Sequence, residues 1–240
     1  MKHRRARILL LLLVTLLVAG CTGALNLPSS GIRPATYTVN RNDTLYSIAW
    51  HYGLDYHSVA GWNGIRPPYT IYPGQRIRLY PSRHGAGRVV SRPGRQHAAH
   101  SVPPPVNRPS EPAVIGPIHW QWPSRGKPQA TFGGKGIAGR GIVIDGRLGD
   151  AVVAAAAGTV VYSGSALVGY GRLIIVKHND EWLSAYGHNQ RLLVHEGDTV
   201  KAGQKIATMG IGPNDKPALY FEIRRDGKPV DPLRYLPKPG

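Results

Sequence analysis

Between Pro81 and Pro117 the chain has nothing from which to build a core. Pro, Arg, Ser, His and Gly dominate, Pro103-Pro104-Pro105 sits near the centre, and apolar residues keep neither a helical nor a strand period. Arg83, Arg88, Arg92, Arg95 and Arg108 meet no acid until Glu111. A stretch of this kind cannot bury enough apolar surface to offset the entropy of ordering it, so 81–117 is expected to be an extended, cationic, semi-stiff tether. The 240 residues must then fold as two modules, one on each side of it. The 30 Gly and 21 Pro, about a fifth of the chain, favour turn-rich β structure in what remains.

The amino terminus is a targeting segment. Lys2, Arg4, Arg5 and Arg7 precede Ile8–Ala19, an apolar run broken only by Thr15. That run is too short for a spanning helix, which takes about 20 residues, and residues 1–20 are expected to be a signal peptide. Leu17-Val18-Ala19-Gly20-Cys21 resembles the bacterial lipobox, which implies acylation of Cys21, removal of the signal and residues 21–35 as a lipidated lead. Thr22, where Asp would favour inner-membrane retention, points to the outer membrane of a Gram-negative cell, facing the periplasm. The chain holds one cysteine, so no internal disulfide framework and no cysteine-rich zinc site is available. The net charge of +17 is concentrated early: 14 basic and 2 acidic residues in 1–110, against 16 and 11 afterwards. Outside the cytoplasm, such an excess suits cell-wall polymer and lipid headgroups rather than nucleic acid.

Residues 36–80 read as strand, helix, helix, strand. Thr36–Val39 and Arg76–Leu79 alternate as strands. Leu45, Ile48, Ala49 and Tyr52 recur at helical spacing after an Asp43-Thr44 cap and before Gly53, and a second helix from about Asp55 ends at Asn63-Gly64. The series Tyr37-Thr38-Val39, Asp43-Thr44-Leu45, Ile48-Ala49, Trp62-Asn63-Gly64-Ile65 and Ile71-Tyr72-Pro73-Gly74-Gln75-Arg76-Ile77 resembles a LysM module. The family usually has Gly where Asn42 stands, a turn position that Asn fills through its left-handed preference. The resemblance implies binding of peptidoglycan glycan, with Asp43, Thr44, Leu45, Trp62, Asn63 and Ile71 as the groove. Trp50, Tyr52, Tyr56, Tyr69 and Tyr72 offer further faces for sugar rings.

Residues 118–240 contain short apolar strands punctuated by Gly and no helical period, the pattern of an all-β sandwich or barrel. The hairpin Glu196–Ile206 also occurs in biotinyl carrier domains, but the lysine-centred turn of a carrier is missing. Ala155–Gly164, Gly169–His178, Tyr186-Gly187-His188, Leu219–Ile223 and the tail Asp231–Pro237 together resemble the lysostaphin/LytM-type metallopeptidase fold. Active members of that family hold zinc through His and Asp of an H-x-x-x-D motif and the second His of an H-x-H. On Arg140-Gly141-Ile142 as anchor, those positions carry Gly139, Val143 and, for the H-x-H, Ala218-Leu219-Tyr220. Three protein ligands are the usual catalytic minimum, and a single phenol does not replace them. Shifting the anchor to reach Asp145 finds Gly141 where a histidine is needed, and His119, His178 and His195 supply no H-x-H. His178 reads as a hydrogen-bonded group of the cleft floor.

A lipobox, one LysM, a Pro-rich tether and a metal-less LytM domain resemble the NlpD-type division lipoproteins. The fold class expected is therefore multidomain, a small α+β LysM followed by an all-β LytM-type domain. The resemblance implies no cofactor, no catalytic residue and no metal. It implies instead that the emptied cleft activates a periplasmic N-acetylmuramoyl-L-alanine amidase at the septum. The expected amidase groove comprises Tyr186, His188, Tyr220 and Glu222, with Arg140, Val143 and Lys177 beside them. A zinc-dependent peptidoglycan endopeptidase and a passive tether between outer membrane and wall are the competing expectations.

Overall fold

The computed structural model describes residues 33–81, 117–130, 132–134, 136–212 and 215–238. The signal, Cys21 and nearly all of the expected tether lie outside them. No described helix is long and apolar enough to cross a membrane.

The first module forms as its sequence pattern requires. Strand β1 (Thr36–Thr38) pairs antiparallel with β2 (Arg76–Arg78), Tyr37 opposite Ile77. Between them, helix α1 (Leu45–Tyr52) opens with a capping box: Thr44 Oγ1 accepts from the Ser47 N–H and Ser47 Oγ from the Thr44 N–H, both at 3.0 Å. These two bonds satisfy amide groups that a helix start leaves open. Helix α2 (Tyr56–Asn63) is capped by Asp55, which accepts from the Ser58 N–H at 2.8 Å. Leu45, Ile48, Val59, Ile77 and Leu79 are buried between strands and helices. Asn42 takes φ 67°, the left-handed turn conformation expected of it.

The second module is all-β. Its strands are β3 (Pro128–Ala130), β4 (Ile142–Asp145), β5 (Ala151–Val153), β6 (Gly158–Gly164), β7 (Arg172–Lys177), β8 (Trp182–Leu192), β9 (Thr199–Val200), β10 (Lys205–Met209), β11 (Ala218–Arg225) and β12 (Lys228–Val230). The main order is β3-β4-β11-β8-β7-β6-β9, with β12 on β11, β10 on the far half of β8 and β5 on β10. Strand β8 runs well past the Tyr186-Gly187-His188 motif, because its second half leaves β11 and pairs with β10, Leu192 opposite Ala207.

Alternation along the central strands separates two cores. Ile142, Ile144, Ile174, Val176, Tyr186, Leu219, Phe221 and Ile223 face one side, closed by Val152, Ile206 and Met209 from β5 and β10. Val143, Leu173, Ile175, Leu183, Ala185 and Tyr220 face the other. Among the described residues no further strand covers this second face. Trp50, Tyr56 and their neighbours in α1 and α2 pack onto it, in one continuous apolar cluster with the strand residues.

Candidate functional site

The face beneath α1 and α2 carries Val143 and Tyr220, two of the positions at which the LytM resemblance places metal ligands. Strand register sets Tyr220 between Val143 of β4 and Gly187 of β8, and Glu222 opposite Ala185. A Cβ at Gly187 would sit 3.0 Å from the Tyr170 carbonyl oxygen and 3.3 Å from the Tyr220 side chain, so the glycine leaves room for the phenol beside it. The Tyr220 hydroxyl meets the Ile137 carbonyl at 2.9 Å and Glu222 Oε2 at 2.6 Å, donating its one proton between them. Glu222 Oε1 accepts from Arg224 Nε at 2.6 Å. Arg224 Nη1 then donates to the Trp50 carbonyl at 2.8 Å, and its guanidinium stacks 3.6 Å from the Trp50 ring centroid. Tyr220, Glu222 and Arg224 are each at most 1% exposed.

Burial, with the Glu222 carboxylate beside it, pushes the Tyr220 phenol far above its ordinary value. Burial also raises the Glu222 carboxyl, opposed by Arg224 and by the hydrogen bond from Tyr220. His188 stands at φ 59° with its ring 6.0 Å from Tyr220, and burial lowers its pKa.

Zinc does not fit this donor set. Gly139 has no side chain, and a Cβ there would run into the Gly134 carbonyl, so a histidine needs the backbone to move. Val143 and Ala218 are buried and apolar. Tyr220 is held protonated and already engaged on both sides. Among the described residues no three of His, Cys, Asp and Glu come together in a way that could hold an ion.

The expected groove is gathered on this face with one exception. His188, Tyr220, Glu222 and Val143 cluster, and Arg140 adjoins them from the short 3-10 turn Ala138–Arg140 before β4. Lys177 lies on the same side of β7, opposite Leu183, and pairs with Asp180 at 3.1 Å. Tyr186 does not belong. It faces the opposite core, fully buried, with its hydroxyl on the Ala155 N–H at 2.8 Å, because a residue between Ala185 and Gly187 must point away from Tyr220. His178 follows Lys177 and lies on that opposite side as well, bonded to the Ala157 carbonyl and Ser184 Oγ at 2.8 Å each; it is not part of the cleft floor.

The expected glycan residues divide similarly. Leu45 is 1% exposed and belongs to the LysM core, where no sugar reaches it. Asp43 accepts from the Tyr37 hydroxyl at 2.7 Å and the Asn40 N–H at 2.8 Å, fixing the turn before α1. Thr44 is the α1 cap, and Asn63 ties α2 to β2 through the Arg78 N–H and carbonyl. Trp62 and Ile71 are half-buried, and Tyr72 is exposed. Trp50, offered above as a sugar platform, is 1% exposed under Arg224. Arg224 is a member of this site that the motifs do not mark. Its signal was an acid and a base two residues apart on one face of an otherwise apolar strand, a spacing that makes them neighbours.

A LysM module joined to a peptidase-type sheet, with no metal-holding group among the described residues, is the class that fold and site define. Residues 37–79 match the family model for the LysM domain and 138–232 that for Peptidase family M23. The chain is similar to the lipoprotein NlpD/LppB homolog of Pseudomonas aeruginosa, 44% identical over 84% of this chain and 77% of that protein. It is also similar to the murein hydrolase activator NlpD of Escherichia coli (39%, covering 89% and 70%). An uncharacterized lipoprotein of the same organism, YgeR, is 41% identical over 97% of this chain and 93% of its own length. The chain belongs to the NlpD/LppB family of lipoproteins.

Proposed function

We propose that this chain is a non-catalytic, cell-wall-associated activator. It is anchored to the outer membrane through acylated Cys21, grips peptidoglycan through its LysM module, and switches on a periplasmic N-acetylmuramoyl-L-alanine amidase through the metal-less cleft. The observation that carries the reading is the substitution of the donor set. Gly139, Val143 and Ala218 offer the cleft shape and apolar surface where ligands would stand, with Tyr220 and Glu222 as directed polar groups. Such a groove suits an extended polypeptide better than a reaction. A relative named a murein hydrolase activator supports the partner class.

Activation needs only a difference in affinity. If the amidase alternates between closed and open forms, the cleft must bind a segment exposed in the open one. Moving a 1:99 population to 99:1 takes about 5.5 kcal/mol of preference. The peptidoglycan contact then keeps activator, enzyme and substrate within one another's reach.

The test is release of dye from labelled sacculi by a purified cognate amidase, with and without the mature lipoprotein. Acceleration by the mixture, with the lipoprotein inactive alone even in added zinc, is the expected result. Lysis by the lipoprotein plus zinc would replace this reading with an endopeptidase, and no acceleration with retained sacculus binding would leave a passive tether. Tyr220→Ala should abolish stimulation while sacculus binding persists.

A further inference from the structure

The groove required by that function is closed, and the chain closes it itself. Trp50 is 1% exposed although it projects from α1 of a separate small module, and what covers it is Arg224, not LysM side chains alone. The Tyr170 hydroxyl adjoins the same indole from the cleft side. Two hairpin tips clasp α2. At the β7–β8 turn, Asp180 presents its carboxylate to the Tyr56 hydroxyl at 3.5 Å and its carbonyl to His57 Nε2 at 3.3 Å. At the β11–β12 turn, Gly227 at φ 72° comes so near the Leu54–Asp55 backbone that a Cβ would collide with it. Tyr220, Glu222 and Val143, the residues a partner segment would have to touch, lie beneath.

We propose that the LysM module is the resident occupant of the degenerate cleft, an autoinhibitory plug that must lift away before the cleft can take a partner polypeptide. This rests on the reading of the cleft as a partner groove. The contact is built to be reversible. Arg224 Nη2 is buried at the junction without a hydrogen-bond partner, and the Trp50 indole and the Tyr170 hydroxyl have only each other there. All three regain water when the modules part, which offsets the apolar area lost. Arg224 is the pivot. Docked, it caps the carbonyl end of α1 and stacks on Trp50; undocked, it remains beside Glu222 at the groove mouth, free to take a carbonyl or aromatic ring of the incoming segment. The incoming segment competes with the plug, so the apparent affinity of the cleft falls by the fraction of molecules that are open.

The experiment uses the mature lipoprotein and two variants. Trp50→Lys sets a cation against Arg224 at a helix position that Lys tolerates. Gly227→Asn keeps a left-handed turn residue but drives a Cβ into the α2 approach. Hydroxyl-radical footprinting read by mass spectrometry reports Tyr170 and Tyr220, amidase-dependent dye release reports the cleft, and sacculus binding reports an intact LysM. The expected result is protection of both tyrosines in the wild type and loss of it in both variants. Sacculus binding should be unchanged, and amidase stimulation at limiting activator should rise about tenfold or more. Tyrosines already reactive in the wild type would overturn the plug, whatever the amidase does. Protection that disappears on dilution would also overturn it, in favour of a plug supplied by a second copy. Footprints as expected with no stimulation by any form would leave the plug standing and sink the amidase reading instead.

Discussion

Two hydrogen-bonded chains cross the same β-strands on opposite faces. On the inner face the Ala157 carbonyl, His178, Ser184, the Tyr186 hydroxyl and the Ala155 N–H are linked in succession, each step 2.8 Å. On the outer face the Ile137 carbonyl, Tyr220, Glu222, Arg224 and the Trp50 carbonyl are linked at 2.6–2.9 Å. The first is assembled from groups that are neutral at pH 7, lies wholly within one module, and keeps its terminal groups on the backbone of that module. The second contains an ion pair, crosses from one module to the other, and leaves Arg224 Nη2 at its far end unpartnered. A neutral, fully bonded chain inside a core serves the fold. A charged chain that ends on another module makes its own energy depend on whether that module is present.

The contrast can be broken most decisively at Tyr186. Tyr186→Ala removes a fully buried ring and orphans the Ala155 N–H, which should cost about 3–5 kcal/mol in urea unfolding of the carboxy-terminal module. A loss under about 1 kcal/mol would mean that the inner chain carries little of the fold. Next comes Arg224→Ala. With the groove closed it strands Glu222 in the interior, a fault that ordinarily costs about 3–5 kcal/mol. Here the LysM module can lift away and let Glu222 reach water. The expected global loss is therefore smaller, roughly 1–3 kcal/mol, with amide exchange quickened in α1 and α2 more than in β7 and β8. Equal losses for the two variants, with exchange unchanged in the helices, would erase the distinction between the chains.

Much of this was legible in the amino-acid sequence, for local reasons. Thr44, Gly53, Asp55 and Gly64 mark helix ends by chemistry that acts within four residues, so both LysM helices could be bounded in advance. That Gly139, Val143 and Ala218 carry no donor atom is likewise readable from residue type alone. The misreadings have a different origin. The motif match places Tyr186 in the groove, but alternation in β8 sends it to the other side, a matter of parity that a motif ignores. Trp50 reads as a sugar platform because an indole offers a flat face to a sugar ring. What buries it is Arg224, 174 residues away, and neither spacing nor composition within either module reports a contact between the two.

Acid should distinguish the two faces through His178. Burial pushes this imidazole down to about 4, whereas in the unfolded chain it titrates near 6.5. Between those values the unfolded state takes up a proton that the folded state refuses. Stability therefore falls as pH drops through the window, by up to about 1.4 kcal/mol per unit, and the contribution levels off below it. His188, lowered by burial too, adds to the same slope. Urea midpoints at pH 7 and pH 5 should separate more for the wild type than for His178→Gln. Identical slopes would show that His178 does not sense the inner core as its geometry implies.

The smallest effect tests whether the plug and the module that forms it are separable. Thr44→Ala removes the side-chain half of the α1 capping box and should cost the LysM module about 1 kcal/mol. Trp50 sits at the other end of the same helix, two turns from the cap, where its backbone carbonyl already serves Arg224. Loosening the first turn should thus raise exchange at the amides of Leu45 to Ile48 while leaving Tyr170 and Tyr220 protected from radicals. If protection of the tyrosines falls in step with the cap, fold and dock are one cooperative unit, and the cleft opens only when the LysM module itself unfolds.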